Sequence, residues 1–350
     1  MILIIGAGLS GLLIAYRLKQ EAIPFKILEA RDRVGGRINT LYTTNEAPIE
    51  MGATWFTQQH QHLIALLKEL DLAHFEQAME ASVFYEAVPN APAQLVQIPS
   101  QAPSFRIAGG TSKLINTLVQ KLDKTELLFN QTVSQITIND NSVQVSANNT
   151  FKGDAVVLAL PPKLWAKNIA FAPQLPIGLM DIALQTQTWM EDSIKVALTY
   201  NQPFWGNENM PGTLFSNQGP IVEFYDQSNY EGTKYALCGF ADATLKNLPA
   251  EERRQKVITQ LITVFGQQAE TFTSYEECVW SKENHTFETS ETLLNPHQNN
   301  GHPIYSTPLF NNQLLIASTE PSPEFAGYME GAVISANTIA DKIIKTQASQ

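Results

Sequence analysis

The 350-residue chain has two cysteines, Cys238 and Cys278, and no CxxC spacing. A disulfide framework is excluded, and a reducing compartment fits. Basic residues are scarce too: 23 Lys and Arg stand against 34 Asp and Glu, a net charge of -11. With no basic run, a nucleic-acid partner is excluded, while the acidic balance speaks of solubility and not of substrate. No apolar run reaches the roughly 18 residues needed to span a bilayer, so no membrane partner is expected. Met1 leads straight into Ile2-Leu3-Ile4-Ile5, with nothing before it to serve as a signal or transit peptide, and the expected location is the cytoplasm. HExxH, GxSxG and the P-loop are all missing, which removes three familiar hydrolytic chemistries. His60 and His62 are two apart on an expected helix, so they point in different directions. They read as a solvated helix face, and no metal is expected. Charged residues are only 16%, which leaves Asn, Gln, Ser and Thr to cover much of the surface.

What is present is a globular composition, 44% apolar and 9% aromatic, on a length that suits two intertwined domains. Residues 2–5 read as a buried strand, Gly6 to Gly11 as a tight loop, 12–19 as a helix, and 25–28 as a second strand ending at Glu29. This is a βαβ beginning of the parallel, two-face-buried type. Further strands are expected at 143–146, 155–160 and 313–318. After the last comes a helix with Ala332, Ala336, Ile339, Ala340 and Ile343 on one face. Between these lie a helical pattern over 58–72 (Leu63, Leu66, Leu67, Leu70), a Pro-rich loop over 89–103, and a segment after Pro161-Pro162. That segment has a strand at 194–200 and runs to about Cys278. The inserts imply a discontinuous division: 1–57, 104–163 and 276–350 in one domain, 58–103 and 164–275 in the other.

Gly6-Ala7-Gly8-Leu9-Ser10-Gly11 fits GxGxxG between a strand and a helix. Missing side chains let the backbone turn tightly and approach a pyrophosphate seated on the helix N-terminus. Glu29 closes the second strand 18 residues after Gly11, where a carboxylate can bind ribose hydroxyls. A glycine turn that merely packs a helix on a sheet is the plainer reading. The order strand, loop, helix, strand, acid argues against it. A second GxGxxG, usual where FAD and a nicotinamide work together, is missing, so electrons enter from the substrate.

The sequence continues Glu29-Ala30-Arg31-Asp32-Arg33-Val34-Gly35-Gly36-Arg37. Gly-Gly-Arg brings bare backbone and a guanidinium to a second spot beside the pyrophosphate. This combination resembles the flavoproteins that include the flavin-containing monoamine oxidases, and the likeness extends along the chain. Ile49 to Trp55, with Gly52, Ala53 and Thr54, resembles the segment passing beside the isoalloxazine. Ile107-Ala108-Gly109-Gly110 resembles the second glycine-pair helix, Val133 falls at the adenine-side backbone contact, and Asp154 to Pro162 resembles the strand returning to the substrate domain. Ala317-Ser318-Thr319-Glu320 and Gly327-Tyr328-Met329-Glu330-Gly331-Ala332-Val333 resemble the last strand, loop and helix. Ser318 stands where the family usually has Gly, and Pro321 follows Glu320, a departure in this loop. The resemblance implies an α/β fold: a Rossmann-like FAD-binding domain of the glutathione-reductase type with a discontinuous α+β substrate domain. It implies FAD held by Gly6, Gly8, Leu9, Ser10, Gly11, Glu29, Ala30, Arg31, Gly36, Arg37, Gly52, Ala53, Thr54, Val133, Trp280, Thr319, Glu320 and Met329.

Two residues carry the expected chemistry. Ser193 to Tyr200, followed by Pro203-Phe204-Trp205, resembles the strand bearing the family's active-site lysine. Alternation sets Lys195 on the face opposite Ile194 and Val196. The competing reading is a strand-edge lysine whose tip reaches water. By resemblance it holds a water near flavin N5. Tyr328 resembles one wall of the aromatic cage that guides an amine to the flavin, against a core tyrosine as the alternative. Trp280 resembles the tryptophan before the flavin-contacting loop, and a core role stands beside that. Where mammalian members attach flavin to cysteine, this chain has Thr289-Ser290, so FAD is expected to be non-covalent. Gly301-His302-Pro303-Ile304-Tyr305 resembles bacterial members, and His285, Phe287 and Tyr305 are the alternatives for the second cage wall. An amino-acid substrate would call for an arginine clamp, and beyond Arg37 there are Arg106, Arg253 and Arg254. The implied reaction passes a hydride from the amine α-carbon to flavin N5, with oxygen as acceptor, giving an imine and hydrogen peroxide. A flavin desaturase acting on a carbon skeleton, or a silent FAD-binding scaffold, are the rivals. The oligomeric state is not legible.

Overall fold

Ile2–Ile5 carries four apolar residues without alternation because both of its faces are covered. It pairs in parallel with Phe25–Leu28 on one side and Ala155–Leu158 on the other. Leu127–Leu128 and Leu314–Ile316 extend the parallel sheet at its two edges. This computed structural model describes residues 1–42, 47–88, 91–290 and 293–348. Ile2 and Ile4 point into a core shared with the helices Leu9–Gln20, Ser112–Gln120 and Met329–Ala348. Leu3 and Ile5 point the other way, onto a second core beneath a four-stranded sheet. That sheet joins Thr150–Gly153, Ser142–Ser146, Gln135–Asn139 and Ala170–Ala172. In Gln135–Asn139 only Ile136 and Ile138 are buried, the alternation of a sheet wet on one side.

A seven-stranded sheet is built from both inserts. Its order is Ser274–Val279, Ile194–Tyr200, Tyr235–Ala241, Ile221–Asp226, Leu214–Ser216, Ser82–Glu86 and Gln94–Gln97. Val257, Leu261, Val264 and Phe265 of the helix Ala250–Phe265 cover one face together with Ile194, Val196 and Leu198. Ala197, on the other face, packs with Ile49, Met51 and Cys238. Ile194–Tyr200 therefore has a strand on each side and a layer on each face, and all seven of its residues are buried.

Three local expectations change. The Pro-rich loop contains the edge strand Gln94–Gln97, because Pro92 and Pro99 fall outside the paired residues; Pro89, at its head, lies outside the described residues. The helical pattern over 58–72 folds as Gln61–Glu69, and His60 sits before its first turn. The strand expected over 155–160 stops at Leu158, where Ala159 and Leu160 turn into a cleft. Among the described residues no helix is long and apolar enough to cross a membrane.

Candidate active site

The sheet order reverses at Ile2–Ile5, and ligands of such sheets sit beyond the carboxyl ends of the strands at that switch. Here the ends open into a cleft of about 510 Å³. Gly6, Gly8, Leu9 and Ser10 line it, with Glu29, Ala30 and Arg31 from the end of the second strand. Gly36, Arg37, Ala53, Val133, Thr319 and Met329 complete its walls. Gly11 lies behind them: a Cβ there would stand 2.1 Å from Gly6 O, so only glycine lets the helix start so close to the strand. The two glycine motifs touch, with Gly35 N donating to Ala7 O at 2.9 Å.

These walls suit a dinucleotide. The helix Leu9–Gln20 begins at Gly8 with no side-chain cap and no acidic residue in its first turn. Its N-terminal N–H groups are thus open to an anion. The buried Glu29 carboxylate accepts from Ala7 N at 2.7 Å and Arg31 N at 2.9 Å, which joins the loop to the second motif. Gln131 Oε1 and Ser318 Oγ are buried on the same walls without a protein partner, two polar atoms that a polar ligand would satisfy. The departure at Ser318 therefore presents a hydroxyl to the cleft. Glu320, expected on the cofactor, lies beneath the cleft instead. It is fully buried and holds Arg37 in a two-pronged pair at 2.6 and 3.3 Å. The arginine fork fits a carboxylate, so Glu320 acts through Arg37. Arg31 donates to Thr286 Oγ1 at 2.6 Å and to Asn284 O, tying segment 284–286 to the cleft.

An inner cavity of about 190 Å³ adjoins the cleft, and Arg37, Ala53, Thr286, Tyr328 and Met329 line both. Gly52, Thr54, Trp55, Lys195, Phe240 and Trp280 form the rest of its wall on the seven-stranded side. Trp280 pins this wall, its Nε1 donating to Met51 O at 2.7 Å. Lys195 sits between Phe240 and Cys278 in register. It is 2% exposed, which disposes of the strand-edge reading. Its Nζ donates to Gly52 O at 2.8 Å and to Thr54 Oγ1, and lies 4.8 Å from the Trp55 ring centroid and 5.2 Å from that of Phe240. The rings favour a cation. Burial is the larger effect and holds the lysine below its ordinary range, with Cys238 and Glu50 opposing. Burial likewise pushes the Glu50 carboxyl up, against hydrogen bonds from Thr111 N and Thr40 Oγ1.

Tyr328 lines both cavities and takes part in a ring column that sequence reasoning missed. Trp189 and His297 stack at 4.0 Å, and His297 lies 5.8 Å from Tyr328. His60 stands 6.0 Å from Tyr328 and edge-on to Phe325 at 4.7 Å. His60 is 6% exposed and no part of a solvated face, because the helix begins only after it and its ring turns inward. Of the alternatives for the second wall, Tyr305 is buried against Thr186 and faces neither cavity, while His285 and Phe287 line the cleft. Trp189 is the ring in the inner cavity that meets Tyr328. Arg106 and Arg253 are buried, and neither they nor Arg254 line these cavities. Glu330 turns away from the cleft and accepts from His62 N at 2.9 Å and Leu63 N at 2.7 Å, capping the helix Gln61–Glu69 from outside. Among the described residues no group of His, Cys, Asp or Glu could hold a metal ion.

A family model described as flavin containing amine oxidoreductase matches residues 9–106 and 89–344, and the chain belongs to that family. Its cofactor is FAD, and the chain is an FAD-dependent oxidoreductase of amines. It is 22% identical to the probable flavin-containing monoamine oxidase A of Dictyostelium discoideum, across 99% of this chain and 98% of that one. The putrescine oxidase of Kocuria rosea is 24% identical over 77% of this chain and 79% of its own. The solved cyclohexylamine oxidase from Brevibacterium oxydans shares the fold, with a TM-score of 0.86 at 19% identity over 99% of both chains.

Proposed function

We propose that this chain oxidises small, largely apolar monoamines with oxygen as acceptor, and that Lys195 and Tyr328 flank the point of reaction. The observation that carries this reading is the junction of cleft and inner cavity, where a fully buried lysine faces an aromatic wall. When bound, FAD would supply the two-electron oxidation of the amine at its α-carbon, with oxygen as the final acceptor. The residues named on the cleft would hold the dinucleotide: the open turn at Gly8 the pyrophosphate, Glu29 the ribose and Arg37 the phosphate side. Neither cysteine lines the cleft, and Cys238 Sγ turns to Glu50 O, which supports non-covalent binding. Lys195, favoured as a neutral amine by burial, can hold or take a proton from a water in the inner cavity. Trp55, Phe240 and Trp280 exclude bulk water there. The N-terminus of Met329–Ala348 lies against the cleft and favours negative charge accumulating there.

The charges around the inner cavity narrow the substrate. Arg37 is taken by Glu320, and Glu191 by Lys163, whose Nζ lies 3.0 Å from both carboxylate oxygens. With Arg37's remaining donors assigned to the dinucleotide and Lys195 held toward its neutral form by burial, neither a distal ammonium nor a substrate carboxylate finds an unpaired charge on that wall. In anaerobic mixing of the FAD-loaded protein, an aralkyl monoamine should bleach the flavin band faster than 1,4-diaminobutane or an amino acid. A flavin bleached by dithionite and by no amine would refute the reading. The discontinuous division given above is our domain assignment: each sheet draws its strands mainly from one set of segments, with Ala170–Ala172 and His74–Glu76 crossing over and Ser274–Val279 straddling the boundary. Two free cysteines support a cytoplasmic location.

A further inference from the structure

Trp189 lies where two cavities meet. The inner cavity of about 190 Å³ and a wider outer one of about 1010 Å³ share a short wall of Trp189, Met190, Glu191, Ser193 and Phe240. The indole is the largest group on that wall, and its centroid is 5.9 Å from that of Tyr328. A substituent that crosses this shared wall from the outer cavity into the inner one meets this ring.

The ring is held by a stacked neighbour, by hydrogen bonds between the segments that carry the pair, and by close backbone at its stem. His297 lies flat on it at 4.0 Å with an interplanar angle of 20°. The segments carrying the two rings are sewn together: His297 N donates to Gln187 Oε1 at 3.1 Å, Gln187 N to Gln298 O at 3.0 Å, and Asn299 Nδ2 to Gln185 O at 3.1 Å. Gly327 abuts the stem of the ring. Its φ is +91°, and a Cβ there would stand 2.7 Å from Trp189 Cβ and 3.1 Å from Cγ. A large aromatic fixed in place by packing and hydrogen bonds reads the size of what passes it, whereas a mobile surface ring gives way.

We propose that Trp189 is the specificity-determining residue of this site, setting how bulky an amine substituent can reach the inner cavity, and that His297 is the positioning residue that holds it there. The proposal rests on the amine-oxidase reading, since the ring guards the cavity where the amine reacts. It gives the 295–300 loop a role: two residues with positive φ, His297 and Asn299, shape it so that an imidazole meets the indole face.

The test uses FAD-loaded protein and a series of amines of rising bulk, butylamine, benzylamine and 1-naphthylmethylamine. Stopped-flow flavin reduction without oxygen gives a dissociation constant and a limiting rate for each. Trp189→Ala should raise the preference for the naphthyl over the butyl amine by about tenfold or more, chiefly through the dissociation constant. Trp189→Phe should fall between the variant and wild type. His297→Ala, which keeps the indole but frees it, should shift the same ratio in the same direction by less. Equal changes for all three amines in Trp189→Ala would overturn the proposal, and an unmoved ratio in His297→Ala would overturn the positioning role. FAD content and thermal midpoint separate these outcomes from misfolding. If no amine reduces the wild-type flavin, the functional reading fails separately. Binding of the same amines, followed by perturbation of flavin absorption, then decides the ring's role: a size-dependent shift in Trp189→Ala upholds it and a uniform one overturns it.

Discussion

Replacing Lys195 by Met tests whether the buried amine is neutral. Methionine keeps the apolar stem but removes the donor to Gly52 O and Thr54 Oγ1. Gly52 O still accepts from Thr54 Oγ1 at 3.1 Å, so one buried acceptor site is left unmade, and at high pH the variant should be less stable by about 1–3 kcal/mol. Protonation then changes the balance. An unfolded lysine keeps its proton up to about pH 10.4, whereas burial makes the folded Lys195 release it at lower pH. Between those two points the unfolded state binds one more proton than the folded state. Wild-type stability therefore climbs with pH by about 1.4 kcal/mol per unit across that window, and is flat below it. Methionine has no such slope. The advantage of wild type over the variant should thus be least, and can reverse, on the acid side, and grow toward the ordinary lysine value. Glu50, Cys238, Cys278 and Arg106 face the lysine in both proteins, and the part of their titration that does not depend on its charge cancels in the difference. Urea unfolding of both proteins from about pH 6 to about pH 10 measures it, provided the slopes with denaturant agree. A difference that stays level over the whole range would refute a neutral Lys195. In the same variant, flavin reduction or its reoxidation should slow; wild-type rates in both half-reactions would remove Lys195 from the site.

Two further substitutions probe the frame around it. Glu330→Ala strips two charge-assisted hydrogen bonds from the start of Gln61–Glu69 and should cost about 3 kcal/mol. Glu330→Gln should recover part of that in thermal unfolding, and an unmoved midpoint in the alanine variant would refute the capping role. Ser318→Ala removes a buried hydroxyl that has no protein partner, so it should leave the FAD-free protein as stable or up to about 1 kcal/mol more so. It should also weaken FAD binding, read by flavin fluorescence titration. A loss of stability without a loss of affinity would mean that Ser318 serves the loop and not the ligand.

The parts of this molecule legible in its sequence are those whose signal is local. Gly6 to Gly11 with Glu29 needs only one βαβ unit, and Lys195 stands out because one polar residue interrupts a run of apolar ones in a strand. The ring column is different. Trp189, His297 and Tyr328 come from three irregular segments that meet only in the fold, and no periodicity joins them. His60 misled for a related reason: residues two apart on a helix diverge, but His60 precedes the helix and answers to Phe325 instead. Glu320 sits in the right motif, yet whether a carboxylate touches a ligand or the arginine beside it depends on depth beneath the wall. The turn at Gly327 is a usable sign, since glycine is the residue for a positive φ or a close approach, and here it meets both.

The contact between the first helix and the last has a consequence for synthesis. Ser10 Oγ donates to Ala332 O at 3.3 Å across a separation of 322 residues. At the usual pace of translation, about 5–20 residues per second, the glycine loop leaves the ribosome some 16–64 s before the helix that completes its cleft. Through that interval the face of Leu9–Gln20 that packs on Met329–Ala348 lacks its cover. Cofactor capture then waits for the second of these helices, and a cell short of FAD would accumulate chains whose cleft has formed around nothing.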